Sequence, residues 1–359
     1  MVSSRSDEAF MRDALRLAKK GSGRTGSNPM VGAIIVRGGR IVGRGYHHGF
    51  GMPHAEIEAL RAAGKKVRGA TLYTTLEPCR HFGKTPPCAE AIVKAGISRV
   101  VCATRDPHRI TSGGVEELRK TGIKVSVGIC AREARRLNEA FFTFHEKKRP
   151  FVAVKFAVSL DGKLATRSCD SKWITNKEAR TFARNLRGQY HAVLVGVNTV
   201  LRDDPHLGVR ARGKRDPLRI ILDSELRIPI NSKVLRDANV IVAMTSRAPE
   251  SRRAALEKRG ISVLSFRGKK IPLPALLSEL RKREVISILV EGGGEIIGNF
   301  LDEKTVDKLY AFYAPVLIGG RHAIGIGGCG IKEVESACRF SKISVQRFGN
   351  NILISGRNM

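Results

Sequence analysis

No apolar stretch in the 359 residues approaches the roughly 20 that a membrane-spanning helix needs, so no membrane partner is expected. The amino terminus lacks the apolar core of a secretory signal, and Asp7 and Glu8 make it acidic at once. A cytoplasmic protein is expected. Aromatic residues are scarce, at 6% with a single tryptophan, which is few for a surface that stacks the bases of a single strand. Acidic residues are few as well: 33 Asp and Glu stand against 64 Lys and Arg, a formal charge of +31. Such a charge makes nucleic acid a candidate partner. The basic residues are not gathered into one arm, however. Residues 1–146 hold 25 Lys and Arg against 13 Asp and Glu, and the remainder keeps an excess too. A diffuse positive field draws any anion, including small phosphorylated metabolites, and no specific nucleic-acid partner is expected. Cysteines number seven, an odd count, with no spacing typical of a disulfide scaffold. Cys102, Cys130, Cys169, Cys329 and Cys338 lie mostly among apolar or glycine-rich neighbours and read as ordinary thiols.

What is present is a long, 42% apolar chain, too long for one ordinary core, so two domains are expected. Ser6 is a good N-cap for a helix carrying Phe10, Ala14, Leu17 and Ala18 and ended by Gly21. Val31–Val36 and Ile41–Tyr46 form a hairpin about Gly38-Gly39. A helix from His54 to Gly64, strands at 70–76, 99–104 and 124–129, and helices after Cys88 and over 115–121 complete the pattern. Strands alternating with helices imply an α/β sheet covered on both faces. The stretch 132–149 reads as helical at first and then basic, and Pro150 marks the boundary between domains at 1–146 and 150–359.

A second α/β pattern opens with the apolar run Phe151–Val158. Thr175 and Glu178 read as a capping box for a helix to Leu186. Residues 198–205 read as a polar connection, too charged for core. Strands are expected at 191–197, 218–223, 240–244, 261–266, 286–290, 308–317, 344–348 and 352–355, with a helix over 250–259. Strand 286–290 runs into Glu291-Gly292-Gly293-Gly294 and then a helix, the arrangement that aims backbone amides at a phosphate. The G-x-G-x-x-G spacing and an acid about 20 residues on are missing, which sets a Rossmann site aside.

The chemistry concentrates between residues 54 and 88. His54-Ala55-Glu56, Pro78-Cys79 and Pro86-Pro87-Cys88 supply one histidine, one carboxylate and two cysteines. A catalytic zinc takes three protein ligands and leaves a position open, whereas a structural zinc closes all four. His54, Cys79 and Cys88 fit the three. Glu56 then remains to move protons, as in zinc deaminases, whose signature is H-x-E followed by P-C-x-x-C. Here eight residues, not two, separate the cysteines. Both cysteines fall at or before a helix start, which favours their thiolates. His47 and His48 precede the motif by a short glycine loop.

These motifs are specific enough to carry a resemblance. Asn28-Pro29-Met30-Val31-Gly32, His54-Ala55-Glu56 and the segment from Glu77 to Cys88 resemble the deaminase half of the bifunctional deaminase/reductases of riboflavin synthesis. Ser159-Leu160-Asp161-Gly162, Ser171-Lys172-Trp173-Ile174-Thr175, Asp203-Asp204-Pro205 and Val290-Glu291-Gly292-Gly293 resemble the reductase half. The resemblance spans nearly the whole chain, and the long cysteine spacing belongs to it. It implies an α/β protein with a cytidine-deaminase-like three-layer α/β/α domain followed by a dihydrofolate-reductase-like α/β domain. The first would remove an amino group from 2,5-diamino-6-ribosylamino-4(3H)-pyrimidinone 5′-phosphate, with one zinc per chain. The second would use NADPH to reduce the ribosyl side chain to ribityl. By resemblance Asn28, His47, His81 and Lys84 hold the pyrimidine nucleotide. Lys155, Ser171, Arg187, Leu207, Arg210 and Glu291 meet the reductase substrate, with Lys155, Asp203 and Glu291 at the reacting centre. Ala157, Trp173, Thr199, Asp203, Ser224 and the run Gly293, Gly294, Glu295, Ile296, Ile297, Gly298 and Asn299 meet NADPH. A homo-oligomer, dimer or tetramer, is expected. One departure stands out: Asp106-Pro107-His108-Arg109 replaces the family's D-P-N-P, and the loop after it is short.

Two other readings compete. A nucleic-acid base deaminase would suit the charge and the H-x-E, but not the long cysteine spacing or the second enzyme-like domain. An inactive zinc scaffold would not retain Glu56, Asp203 and Glu291 together.

Overall fold

The computed structural model describes residues 6–82, 86–210 and 215–359. Contacts divide the chain into two compact units, Met1–Lys148 and Arg149–Met359. The first contains α1 (Asp7–Ala18), β1 (Gly32–Arg37), β2 (Arg40–Tyr46), α2 (Ala55–Ala63), β3 (Thr71–Thr74), α3 (Cys88–Lys94), β4 (Arg99–Cys102), α4 (Gly114–Lys120), β5 (Lys124–Val127), α5 (Ala131–Leu137) and α6 (Glu139–Glu146). Its sheet runs β2-β1-β3-β4-β5, with β1 antiparallel to both neighbours and the rest parallel. Successive strand residues face opposite layers. Ala33, Ile35, Leu72 and Val100 bury against α2, α3 and α4. Ile34, Val36, Tyr73 and Val101 bury against α1 and α5.

Glycine sets how closely the helices lie on this sheet. A Cβ on Gly43 would sit 2.3 Å from the Ala59 carbonyl oxygen, and one on Gly45 2.2 Å from that of Ala55. The backbone of α2 therefore rests directly on β2, and the start of α2, where His54 stands, is fixed to the sheet.

The second unit contains β6 (Phe151–Val158), α7 (Lys177–Arg187), β7 (Ala192–Gly196), α8 (Val197–Asp203), β8 (Leu218–Leu222), β9 (Val240–Thr245), α9 (Glu250–Lys258), β10 (Ser262–Phe266), α10 (Leu273–Lys282), β11 (Ser287–Gly292), α11 (Gly294–Asp302), β12 (Lys308–Tyr313), β13 (Phe340–Phe348) and β14 (Asn351–Asn358). The nine strands run β10-β9-β8-β7-β11-β6-β12-β14-β13, parallel as far as β12, with β14 and β13 antiparallel. Two apolar layers again form from alternating residues: Val152, Leu194, Ile220 and Ile288 on one face, Val193, Val195, Ile221 and Val242 on the other. No helix among the described residues is long and apolar enough to cross a membrane.

Four local expectations change. The polar connection at 198–205 is largely α8, because Val197 and Val200 turn into the core while Arg202 and Asp203 stay outside. The basic stretch before Pro150 remains helical to Glu146, since Phe141, Phe142 and Phe144 bury one side of α6. The cap of α7 is Asn176, whose Oδ1 accepts from the Ala179 amide at 2.9 Å, while Thr175 is buried. Helix α10 adds to the expected elements: Pro272 and Pro274 fall at its cap and first turn, where proline is tolerated, and Leu273, Leu276, Leu277 and Leu280 are buried.

Candidate active sites

In the first unit, three ligand atoms converge. His54 is the N-cap of α2, Cys88 is the first residue of α3, and Cys79 follows β3. His54 Nδ1 lies 3.3 Å from Cys88 Sγ and 3.5 Å from Cys79 Sγ, and the three ligand atoms lie within 4.8 Å of one another. A tetrahedral zinc with ordinary bond lengths spaces nitrogen and sulfur ligands by about 3.5 Å. The residues thus fit zinc, with both soft thiolate and imidazole donors. Burial is graded: Cys88 is buried, and His54 and Cys79 are half-buried, which leaves one open side.

Without a metal, the two thiols share one proton and pull in opposite directions. A hydrogen bond from Cys88, assisted by His54, brings the Cys79 thiol down to about 4. Cys88 moves up, through that same bond, its burial and the nearby Glu56 carboxylate. Glu56 is 3% exposed, and burial raises its pKa despite the pull of His54. Its Oε1 accepts from Thr74 Oγ1 at 3.4 Å, and Oε2 lies 3.7 Å from Cys88 Sγ. It stands beside the three ligands without joining them.

Asn28 and His47 belong to the same site. His47 Nδ1 lies 3.2 Å from the Pro53 carbonyl, which can only accept, so Nδ1 carries the proton. Nε2 of the neutral ring is then an acceptor, and Asn28 Nδ2, 3.2 Å away, donates to it. Burial of His47 favours this neutral form, against the hydrogen bond to Pro53. The Oδ1 of Asn28 remains to accept from a ligand. The His47 ring meets that of His54 edge-on at 5.7 Å between centroids. His81 is exposed, and Lys84 lies outside the described residues.

Glu77 had no assigned role in the sequence, and the structure gives it one. Its buried carboxylate accepts from the amides of Asp106, Gly113 and Val115, each at 3.0 Å. It thereby closes the loop from Asp106 to Val115 against the segment carrying Cys79. In that loop Asp106 takes bonds from the His108 amide and the Thr111 hydroxyl, and His108 stacks on His145 at 4.4 Å.

In the second unit, a buried ionic cluster sits at the end of β11. Arg187, the last residue of α7, grips Glu291 through Nε at 2.6 Å and Nη2 at 3.0 Å, and Lys155 on β6 approaches it at 3.6 Å. Burial alone would raise the Glu291 pKa. Arg187 and Lys155 outweigh it and bring the carboxyl to about 2. Lys172 pairs with Asp203 at 2.7 Å. The Arg180 guanidinium covers one face of Trp173 at 4.3 Å, while the tryptophan remains 69% exposed. Ser171 is half-buried nearby in sequence, and Arg210 is exposed. Leu207 is 2% exposed, so its side chain belongs to the core and only its main chain is left to meet a ligand.

The helix expected after the glycine run is α11, and it begins at Gly294, within that run. Gly293 is the exposed N-cap of α11, and the run to Asn299 lies inside it. A Cβ on Gly294 would lie 2.3 Å from the Gly325 oxygen, and one on Gly298 1.9 Å from that of Gly327. A glycine-rich strap, 324–330, therefore lies along this helix and ends on Asp302, which accepts from the Cys329 and Gly330 amides. Gly294, Ile297 and Gly298 are buried, whereas Gly293 and Glu295 are exposed and Ile296 and Asn299 half-buried. The Thr199 hydroxyl stands next to Gly292, at 3.9 Å from where its Cβ would be. Ala157 and Ser224 are half-buried, on β6 and just past β8.

Comparison with known proteins agrees with both halves. Residues 4–104 match the cytidine and deoxycytidylate deaminase zinc-binding region, and residues 150–354 match the RibD C-terminal domain. The chain is 47% identical to the riboflavin biosynthesis protein RibD of Aquifex aeolicus, over 97% of each chain. It is 38% identical to that of Escherichia coli, over 97% of this chain and 98% of the relative. The structure of Acinetobacter baumannii RibD matches with a TM-score of 0.89 at 36% identity, covering 98% of this chain and 99% of that one. A Thermotoga maritima structure, described as a diaminohydroxyphosphoribosylaminopyrimidine deaminase/5-amino-6-(5-phosphoribosylamino)uracil reductase, matches with a TM-score of 0.86 at 39% identity over 98% of both chains. Matched from end to end at these identities, with the metal-ligand triad in its first unit, this chain belongs to the RibD family of riboflavin biosynthesis proteins.

Proposed function

We propose that the chain performs two successive steps of riboflavin synthesis. The first unit deaminates 2,5-diamino-6-ribosylamino-4(3H)-pyrimidinone 5′-phosphate. The second reduces the ribosyl side chain of the product to ribityl with NADPH, giving 5-amino-6-ribitylaminouracil 5′-phosphate. The observation that carries this reading is the His54, Cys79 and Cys88 triad beside a buried, non-ligating Glu56, in a chain that aligns throughout with two-activity relatives.

Zinc, when bound by that triad, supplies a Lewis acid that makes water nucleophilic near neutral pH. Glu56, its pKa raised by burial, would accept at its carboxylate a proton from the attacking water and pass it to the amino group, which leaves as ammonia. Asn28 offers Oδ1 to a donor on the substrate, with His47 fixing the polarity of its amide.

In the second unit, NADPH supplies a hydride. The carboxyl edge of a parallel sheet and the bare Gly293 cap of α11 suit its phosphates, and Trp173, Thr199, Asp203 and Ser224 are its further proposed contacts. Lys155, Arg187 and Glu291 form a fixed charged wall for the ribosyl substrate, with Ser171, Arg210 and the Leu207 main chain beside it. Asp203 is proposed at the reacting ribose.

We also propose a homo-oligomer, dimer or tetramer. Strand β13 ends its sheet and exposes Ile343 (53%) and Val345 (63%), an edge suited to a second copy. A cytoplasmic site of action suits free thiols that must stay reduced. The test is to supply substrate, zinc and NADPH and to follow ammonia release and NADPH oxidation separately. Zinc-loaded protein that releases no ammonia would sink the deaminase assignment. Protein that leaves NADPH untouched in the presence of deaminated substrate would sink the reductase assignment.

A further inference from the structure

The segment carrying Asn28 is held by a residue far along the chain. Asn138 joins α5 to α6, and its own main chain is engaged there: its amide donates to Ala134 and its carbonyl accepts from Phe142. Its side chain is 5% exposed and spends both halves of its amide on one residue. Oδ1 accepts from the Met30 amide, and Nδ2 donates to the Met30 carbonyl, each at 2.8 Å. Such a two-point bond fixes orientation as well as distance, because neither half can rotate without breaking the other.

The rest of this stretch is pinned from other sides. The Gly32 amide donates to Thr75 Oγ1 at 3.1 Å, and a Cβ on Gly32 would lie 2.0 Å from the Ala14 carbonyl. The Val31 carbonyl accepts from the His47 amide at 2.9 Å. Asn28 projects from this base and meets His47, which in turn meets Pro53, the neighbour of His54. Pro29 between Asn28 and Met30 stiffens the link. A displacement of Met30 is therefore passed to Asn28.

We propose that Asn138 is a positioning residue for deamination: through Met30 it holds Asn28 where Oδ1 can accept a hydrogen bond from the pyrimidine nucleotide. The inference rests on the deaminase reading above. Asn138 touches neither the metal ligands nor Glu56 in the hydrogen bonds described, so its effect falls on substrate binding.

The test uses the full zinc-loaded chain and two substitutions. Asn138→Asp sets an oxygen against the Met30 carbonyl, and Asn138→Ser keeps at most one of the two bonds. Both should raise KM for the diaminopyrimidine nucleotide and lower kcat/KM by about 10- to 100-fold, the cost of a misplaced contact. Zinc content should stay at one per chain, and reduction of pre-deaminated substrate should be unchanged. A binding cycle separates positioning from general loosening. In the Glu56→Gln protein, where turnover should be slowed by about 10²- to 10⁴-fold, Asn138→Ser should weaken substrate binding about tenfold. With Asn28→Ala also present, the further weakening should fall below about threefold, since coupled residues are not additive. Wild-type KM in both variants, an undiminished effect without the Asn28 amide, or failure of both variants to fold would each overturn the proposal. A wild-type chain that releases no ammonia would instead sink the deaminase reading itself.

Discussion

Replacing Arg187 by leucine should leave a buried carboxylate short of charge, and the consequence can be estimated. The Glu291 side chain is 6% exposed and is held by two Arg187 bonds at 2.6 and 3.0 Å, with Lys155 farther off at 3.6 Å. Its pKa falls from an ordinary 4.5 to about 2. At 1.36 kcal/mol per unit this corresponds to about 3 kcal/mol of pH-dependent stability. Breaking a buried pair by removing one partner typically costs about 3–5 kcal/mol, so the two figures agree. Because the folded pKa lies below the unfolded one, this stability is complete above pH 4.5 and is lost as pH falls toward 2. In Arg187→Leu, burial opposed only by Lys155 moves the Glu291 pKa upward, and the carboxyl becomes neutral at a milder pH. The destabilisation should therefore be largest near neutrality and shrink in acid. Urea unfolding followed by Trp173, the single tryptophan and part of the same unit, reports it. At a slope of about 2 kcal/mol per M, the midpoint near pH 7 should drop by about 2 M. Adding Glu291→Gln should recover much of this loss. A midpoint shift below about 0.5 M, a shift that does not shrink in acid, or a double variant no better than the single would refute the electrostatic account.

The remaining predictions are simpler. Glu56→Gln should keep zinc and reductase activity while deamination falls by about 10²- to 10⁴-fold; loss of reduction in the folded protein would show that the two activities are not separate. Cys88→Ser should lower zinc content by metal analysis, and full occupancy would remove Cys88 from the ligand set. Gly298→Ala sets a Cβ 1.9 Å from the Gly327 oxygen, so the strap must shift at a cost of about 1–3 kcal/mol and with a higher KM for NADPH, whereas Gly325→Ala, with nothing within 4 Å, is the control. Binding to duplex or single-stranded nucleic acid should be weak at physiological salt; tight binding with a steep salt slope would contradict the assignment of the charge to small anions.

The sequence by itself determined the chemistry that depends on near neighbours. A histidine at an N-cap, a glutamate two residues on, a cysteine after Pro78 and one at a helix start after Pro87 are local facts, and the structure brings His54, Cys79 and Cys88 together. The order of strands and helices was legible for the same reason, since period and turn chemistry are local signals. A helix was hidden where charge disguised a buried stripe, as in α8, and α10 carried no expectation at all. Tertiary structure decided what depends on residues far apart in the chain. It set His54 beside both cysteines and the buried Glu56 beside Cys88 alone. It gave Glu291 two cations from β6 and α7, 136 and 104 positions away. It laid the strap on Gly294 and Gly298, and it carried Asn138 across 108 positions to Met30. None of these pairings leaves a trace in spacing or periodicity, because each exists only once the sheets have fixed which distant backbones lie side by side.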